Sequence, residues 1–329
     1  MERDDLRVIV ALTARLASGE KALAPLTPTE WDTAAQAIYQ LGAWPRDLLG
    51  VGAPDLLEAI STAGKRLTTE RLGTLLGRMT HVDQRIRDWE SHRITLIPRG
   101  GSQYPRPFRL HLKASCPPLL WSSGNPDLLR QTGVAIVGSR DAEYEALRRA
   151  SDLGAAVAQT GFVTISGGAR GIDERAVEGA LMAGGSAVVI LPDSLAVQTK
   201  KIQFKRFLEG GQLALISPYS PDAGYQTGTA MGRNRLIYCL AEAAFVVRSS
   251  RHAGGTFAGA QQALDNAWTQ IWVERSDDPE SGNAVLRERY NLPVIPSDDL
   301  SEVWDSIREP VTVGTRSIAE EPAQWTPFE

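Results

Sequence analysis

Cysteine and histidine are scarce in this sequence. It has two cysteines and four histidines in 329 residues, and Cys116 and Cys239 lie far apart along the chain. Two isolated thiols provide neither a metal-ligand spacing nor a disulfide framework, and they are typical of a reducing cytoplasm. No Ser/His/Asp order and no paired-carboxylate motif accompanies the histidines. We therefore expect a cytoplasmic protein with no catalytic residue, no metal and no cofactor.

Long hydrophobic runs are also missing. No uninterrupted apolar stretch approaches the roughly 20 residues that a membrane-spanning helix needs. Apolar positions near the N-terminus are interrupted by Arg7, Thr13 and Arg15, which is typical of an amphipathic helix and not of a signal peptide. The sequence predicts no association with a membrane.

An overall excess of positive charge is absent as well. The chain has 35 basic and 39 acidic residues, which gives a formal net charge of −4. The acidity is concentrated at one end, because residues 276–329 hold twelve Asp/Glu and four Arg and have a net charge of −8. The rest of the chain has a net charge of +4, which permits a local basic patch without demonstrating one.

The patterns along the chain predict three regions. Residues 1–92 have apolar residues at helical spacing, which predicts a small helical domain. Its run LLGVGAPDLLEAI indicates a packed pair of helices, with a phosphate-contacting helix-hairpin-helix as the alternative. Residues 93–275 are predicted to form the main domain, entered through the proline-rich segment 93–133. Residues 276–329 form an acidic extension whose end we expect to be disordered.

From Gly133 onward, short apolar strands alternate with helices. Near-continuous apolar strands in such an alternation predict a Rossmann-like α/β fold, with a mostly parallel sheet covered by helices on both faces. The prolines around Thr95–Pro98 and Leu119–Trp121 favour edge strands in the entry segment. Ligands of parallel sheets bind at the carboxyl ends of the strands.

Glycine-rich turns with nearby Ser, Thr or Arg follow several of these strands. Backbone N–H groups of such turns can approach an anion closely, and the helix that follows adds a partial positive charge. One turn alone is weak evidence, because any tight strand-to-helix turn needs glycine, but several at one edge indicate a phosphate-binding cleft. The predicted phosphate-binding residues are Gly138, Ser139, Arg140, Ser166, Gly167, Ala169, Arg170, Gly171, Arg233, Arg235, Gly254, Gly255 and Thr256.

Structural alternatives exist for Arg233 and Arg235 of this set, and for two further features, Asp173 and a basic patch. Arg233 and Arg235 are predicted to begin a helix, where positive charge is unfavourable, so either an external anion or a carboxylate such as Glu242 would explain them. Asp173 is predicted either to cap its helix or to position Arg170. A basic patch interleaved with Phe204 and Phe207 suits single-stranded nucleic acid, unless both rings lie in the core. That patch consists of Lys200, Lys201, Lys205 and Arg206.

The glycine turns belong to a series of motifs that resembles a known family. In order, the motifs are ITLIPRGGSQYP, CPPLLWSSGN, GVAIVGSR, TISGGARGID, ALMAGGSAVVIL, GRNRLIYCLAEAAFVV and GGTFAGA. Over residues 93–275 the series resembles the DNA-processing protein A family, also called DprA or Smf. The helical N-terminal region matches the family's SAM-like domain in position only.

This resemblance implies a function and partners. Members of the family bind single-stranded DNA in a positive pocket of the Rossmann-like domain, protect incoming strands and help to load the RecA recombinase, commonly in natural transformation. They usually act as homodimers and have no established catalytic reaction. The resemblance therefore implies a DNA-binding protein of recombination or competence that is not an enzyme.

The sequence departs from the family pattern at several positions. Gly168 replaces a common leucine, Val177 stands near an expected histidine, and Met231–Gly232 replaces a Phe-Pro. The short acidic tail predicts that the winged-helix domain of many members is missing. These departures favour a divergent member and put RecA loading in question.

Two other classes of function share the same fold. Nucleotide phosphoribohydrolases use a PGGxGTxxE motif, but the matching stretch has Ala260 and Gln261 and no glutamate, which argues against hydrolysis. A nucleotide-binding sensor, acting in signalling or defence, would use the same cleft as a DNA strand. The motif GxGxxG is missing from the first turn, and GxxxxGK[ST] occurs nowhere.

Overall fold

The computed structural model describes residues 1–16, 24–193, 195–222, 227–251 and 255–308. The helices are α1 (Arg3–Thr13), α2 (Pro28–Gln40), α3 (Ala53–Ala63), α4 (Thr69–Leu76), α5 (Met79–Ser91), α6 (Arg106–Leu112), α7 (Tyr144–Thr160), α8 (Ile172–Met182), α9 (Leu195–Gln198), α10 (Ile202–Glu209), α11 (Thr227–Leu240), α12 (Gly255–Asp265), α13 (Gly282–Tyr290) and α14 (Ser301–Arg308). The strands are β1 (Thr95–Pro98), β2 (Leu119–Gly124), β3 (Gly133–Gly138), β4 (Val163–Ser166), β5 (Ser186–Ile190), β6 (Leu213–Ser217), β7 (Ala243–Arg248) and β8 (Gln270–Val273).

Within these ranges the strands form one sheet, in the order β1-β2-β6-β5-β4-β3-β7-β8. Strand β2 pairs antiparallel with both β1 and β6, and all other neighbours pair in parallel. The mostly parallel α/β sheet predicted from the alternating pattern is confirmed. Strand β1 lies at the edge as predicted, but the same prediction for β2 is wrong. Pro117 and Pro118 precede that strand, so its residues are free to pair on both sides.

Each central strand buries both of its faces, because successive side chains point to opposite sides of a sheet. In β3, Val134 and Ile136 pack in a cluster with residues of α7, α8 and α14. Ala135 and Val137 pack in a second cluster with residues of α6, α11, α12 and α13. Helices therefore cover both faces, as predicted. Helices α13 and α14 of the acidic extension take part in this packing. Val294 of the same extension forms an isolated bridge with Val273 of β8.

The N-terminal helices have a core of their own and also contact the sheet. Val8 and Leu12 of α1 pack in the core that α2 and α4 share. Val10 of the same helix packs in a cluster with Trp121 and other sheet residues. An ion pair of 2.7 Å joins the buried side chains of Arg99, just after β1, and Asp32 of α2. The division of the chain at residues 92 and 275 stays a prediction.

Helix α11 brings the chain back across the sheet. Strands β3 to β6 are added one after another on one side, and α11 then returns the chain to β7, which pairs with β3. The order of the strands therefore reverses between β3 and β7. In open α/β sheets, the carboxyl ends of the strands at such a switch point form a crevice that binds ligands. No helix of the described ranges is long and apolar enough to span a membrane.

Candidate functional site

The turns after β3 and β4 pack directly against each other at the switch point. A Cβ on Gly171 would lie 2.6 Å from the backbone oxygens of Ser139 and Arg140. A Cβ on Gly138 would lie 2.6 Å from a side-chain carbon of Ile172. Gly171 has a φ of +96°, a conformation that L side chains rarely adopt. The glycines are therefore needed because the two turns approach each other too closely for side chains.

The carboxylate of Asp173 holds these turns together. It accepts a hydrogen bond from the N–H of Gly138 at 3.2 Å, and it also accepts from the N–H groups of Gly167 and Ala169. Burial raises the pKa of this carboxyl, while the charge of Arg233 and the backbone donors oppose the rise. The anion held by this part of the predicted cradle is therefore a side chain of the protein itself. Asp173 does not position Arg170, which pairs with Asp141.

Two further backbone donors of these turns have no partner among the described residues. The N–H groups of Gly168 and Gly171, both with positive φ, donate to no described acceptor, but only Gly168 is partly exposed, and Gly171 is buried. The predicted hydroxyl donors, in contrast, are engaged within the protein. Ser166 donates to the carbonyl of Ile136 at 2.7 Å and is fully buried, and Thr256 donates to the carbonyl of Gly138 at 3.1 Å. The Ser139 hydroxyl accepts from the N–H of Asp141 at 3.3 Å.

Arg233 lies beneath the glycine turn, and it is not at the beginning of a helix as predicted. Helix α11 begins at Thr227, because the TGTAMG stretch is helical and not a loop. The Arg233 side chain is only 3% exposed, and its Nε and Nη1 atoms have no hydrogen-bond partner among the described residues. Burial lowers the pKa of Arg233, Asp173 is the carboxylate that opposes this most strongly, and Glu242 is not among the main contributors. Of the two explanations offered for Arg233, an external anion or a carboxylate of the protein, the structure supports the carboxylate. That carboxylate is Asp173 and not Glu242.

The next two residues of α11 contact other parts of the chain. The Asn234 side-chain amide donates to the carbonyl of Gly255 at 3.2 Å and so joins α11 to the start of α12. Arg235 donates to the carbonyl of Ser115 at 3.0 Å, in the entry segment. Arg235 therefore lies on a different side of α11 from Arg233, and the structure does not bring the two guanidinium groups together.

The arginines at the cleft are accompanied by carboxylates. Arg170, 78% exposed, pairs with the equally exposed Asp141 of the neighbouring turn. Asp193 follows β5. Burial raises the pKa of its carboxyl, and the positive charges of Arg233 and Arg140 oppose that rise. Arg248 pairs with Glu143 at 3.2 Å. The cleft therefore contains many charged groups, but its positive and negative charges nearly cancel. A bound phosphate would have to displace these carboxylates from the arginines.

The predicted basic patch is separate from the cleft. Phe204 and Phe207 pack against the core beside β5 and β6, so the structural alternative with both rings in the core is the one observed. A nitrogen of the Arg206 guanidinium lies 3.0 Å from the sulfur of Met182, at the end of α8 that leads into the start of β5. That end is opposite to the carboxyl ends of the strands. Lys200, Lys201 and Lys205 lie on α10 or just before it.

Two residues at the cleft were missed by the sequence analysis. Asp193 follows β5 and Tyr219 follows β6. Both interact electrostatically with Arg233 and oppose the lowering of its pKa by burial. Their position just after strands was the signal that could have identified them, but neither lies in a glycine motif. Gly254 was predicted and lies outside the described residues. In the described ranges, no group of three or more His, Cys, Asp and Glu side chains could hold a metal ion.

Comparisons with known proteins agree with this geometry. A curated protein of Mycobacterium tuberculosis named putative DNA processing protein DprA is 30% identical over 200 residues, which cover 59% of this chain and 51% of that protein. The chain thus spans about half the length of this curated relative. The X-ray structure of DNA processing protein A from Streptococcus pneumoniae has a TM-score of 0.66, with 19% identity, and the match covers 83% of this chain and 91% of that one.

A second similar solved structure is that of a relative studied for its binding of single-stranded DNA. It presents the single-stranded DNA binding mode of DNA processing protein A from Helicobacter pylori. Its TM-score is 0.52 with 22% identity, and the match covers 65% of this chain and 95% of that one. At these identities both structures show that the fold is shared. The family model for DNA recombination-mediator protein A matches residues 95–290, which is more than half of the sequence, and the chain therefore belongs to that family.

Proposed function

We propose that this protein binds single-stranded DNA at the cleft between the turns after β3 and β4. One observation carries the proposal: the exposed guanidinium of Arg170 lies at the switch point, beside the partly exposed Gly168, whose N–H has no partner among the described residues. A guanidinium fork and a backbone donor together match the oxygens of a phosphate. Family membership supports a nucleic-acid ligand, and the H. pylori relative supports a single strand.

Exchange of ion pairs is the physical step that binding requires. The pair between Arg170 and Asp141 is exposed on both sides, so it contributes little, typically about 0–1 kcal/mol. A DNA strand offers many phosphates, and binding of each one releases counterions. The balance therefore favours DNA at low salt, and we expect the affinity to fall steeply as salt is added.

The roles of the predicted residues follow from their positions. Arg140, Arg170 and Gly168 would contact phosphates, whereas Gly171, Asp173 and Arg233 would keep the turns in place. Ser139, Ser166, Gly167, Ala169, Gly255 and Thr256 would shape the cleft. In this scheme the protein acts by binding and has no turnover, since Ala260 and Gln261 occupy the position of a hydrolytic glutamate.

A homodimer and delivery of DNA to the RecA recombinase are the finer parts of the proposal. Both rest on family membership alone. They would place the protein in recombination or natural transformation. Light scattering of the purified chain tests the dimer, and assembly of RecA filaments on coated DNA tests the partner.

The test of DNA binding uses Arg170→Ala and the matched control Arg175→Ala. Arg175 is also exposed and paired with a carboxylate, but it is the fourth residue of α8 and its partner, Glu178, lies farther along that helix and not on the neighbouring turn. Affinity for a labelled oligo-dT strand should fall about tenfold at low salt for Arg170→Ala and stay unchanged for the control. The salt slope should decrease by about one unit for each lost phosphate contact. Equal affinity of wild type for duplex and single strand would contradict the proposal, as would preferential binding of free nucleotides.

A further inference from the structure

A groove lies next to the cleft, between the N-terminal helices and the sheet. Its volume is about 660 Å³, which is within the usual range of ligand pockets. One wall comes from the end of α1 and the segment before α2, and the other from the start of β2, the segment after β6, and α11. We call it the proline groove, because its lining includes Pro25, Pro28, Pro117, Pro118 and Pro218.

The lining combines apolar surface with positive charge. The partly exposed Pro25, Pro28 and Pro218 supply apolar area, and Leu119 and Trp121 lie buried at the base of the groove. Arg15 is exposed and forms no ion pair with any described residue, and Arg235 bonds only to Ser115. The one carboxylate of the lining, Asp222, already pairs with Arg85. In contrast to the cleft, the proline groove therefore has two arginines, Arg15 and Arg235, that pair with no carboxylate of the described ranges.

Apolar walls and uncompensated cations together suit a nucleotide. The face of a base is buried well between apolar or aromatic side chains, and its phosphate requires positive charge. An apolar peptide would leave both arginines without a partner. A purely inorganic anion would leave the apolar walls exposed to water.

Tyr219 lies between the proline groove and the cleft. This half-buried tyrosine lines the groove, and a Cβ on Gly232 would lie 2.8 Å from its hydroxyl. Burial raises the pKa of its phenol, and the charges of Arg235 in the groove and Arg233 beneath the cleft oppose that rise, so both arginines are close to it. A strand bound at the cleft would therefore reach the groove on the side of Tyr219.

We propose that the proline groove receives bases of the same DNA strand whose phosphates bind at the cleft. This inference rests on the proposed function, and it adds a second subsite that recognises bases in addition to backbone phosphates. It predicts that a longer strand binds more tightly than a short one, and that the gain requires bases and not only phosphates.

The test compares oligo-dT strands of about 4 and about 12 nucleotides, together with a long strand whose bases are replaced by abasic sites. Wild type should bind the long strand at least about tenfold more tightly than the short one, and the abasic strand should lose most of that gain. Arg15→Glu and Ser220→Trp, one reversing a charge and one filling the groove, should remove the gain and leave short-strand affinity unchanged. Arg148→Glu, at an exposed arginine of α7 outside the groove, is the control.

The outcomes separate this inference from the proposed function. If no strand binds wild type, the proposed function fails. If all strands bind and both groove variants keep the wild-type gain with length, the groove inference alone is overturned. Binding of free dTMP that both groove variants abolish, without any gain from strand length, would also overturn it in favour of a site for small nucleotides.

Discussion

The guanidinium of Arg233 lies against the α-carbon of Gly167. A Cβ at position 167 would be 1.9 Å from the Nη1 atom of Arg233 and 2.6 Å from a carboxylate oxygen of Asp173. Both side chains are buried, so neither can move aside into solvent. Gly167 is thus required because the buried side chains of Arg233 and Asp173 leave no room for a Cβ, whether or not a ligand also approaches the turn.

Gly167→Ala should lower the stability of the fold. The added methyl group has to displace a buried guanidinium, and overpacking of this kind costs about 1–3 kcal/mol. Denaturant unfolding measures the loss. Gly73→Ala is the matched control, because a Cβ on Gly73 in α4 meets nothing within 4 Å and helix propensity favours alanine by up to about 1 kcal/mol. Equal stability of the two variants would contradict the tight contact.

Asp141→Asn should strengthen DNA binding. The exposed Asp141 carboxylate competes with a phosphate for Arg170, and asparagine removes the charge at nearly constant size. We expect an affinity gain of up to about fivefold at low salt, which vanishes as salt is raised. Fluorescence anisotropy with oligo-dT measures it. Glu145→Gln, which breaks a similar exposed pair with Arg148 on α7, should have no effect. A loss of affinity in Asp141→Asn would mean that this carboxylate supports the site.

Asp173→Asn should change how stability depends on pH. Burial raises the pKa of Asp173 in the folded protein above its value in the unfolded chain. The folded state thus binds this proton more tightly, and the resulting stabilisation is complete below about pH 4 and is lost as pH rises through the folded pKa. Asparagine does not titrate, so the stability of the variant relative to wild type should increase from about pH 4 toward neutral.

Denaturant titrations of both proteins across that pH range measure the difference. Any constant cost of leaving Arg233 without a carboxylate shifts the variant equally at every pH, so it does not affect this comparison. Parallel stability curves for the two proteins would contradict the raised pKa.

Asp32→Ala should destabilise the contact between the helical region and the start of the sheet. Asp32 is paired with Arg99 at 2.7 Å, and the two side chains are only 9% and 7% exposed. Removal of one partner from a buried pair leaves a charge without compensation and costs about 3–5 kcal/mol. Glu58→Ala, at an exposed position of α3, should cost less than about 0.5 kcal/mol. Recovery of stability in Asp32→Leu combined with Arg99→Met would assign the loss to the unpaired charge.

The sheet could be predicted from sequence because its signal is local. Runs such as GVAIVG show that both faces of a strand are buried, and the alternation with helices then implies parallel pairing. The position of β2 could not be predicted in this way. Whether a strand lies at an edge depends on a partner far along the chain, here β6, and the prolines before it carry no information about that partner.

The candidate site could be predicted only in outline. Glycine motifs indicate where backbone donors gather, but they do not show which acceptor those donors contact. The sequence could not reveal that Asp173 occupies three of them, nor that Arg233 and Arg235 point to different neighbours. The second fact depends on where α11 begins, and the glycines at 228 and 232 made the six helical residues before Arg233 look like a loop.

Three consecutive residues of α11 each serve a different neighbour: Arg233 the glycine turn, Asn234 the start of α12, and Arg235 the entry segment. Successive residues of an α-helix differ by about 100° in direction, so this assignment depends on the rotational phase of the helix. A substitution at one position disturbs one neighbour. A one-codon insertion or deletion ahead of them would turn all three side chains away at once, so in evolution this stretch can drift in composition far more easily than it can change in length.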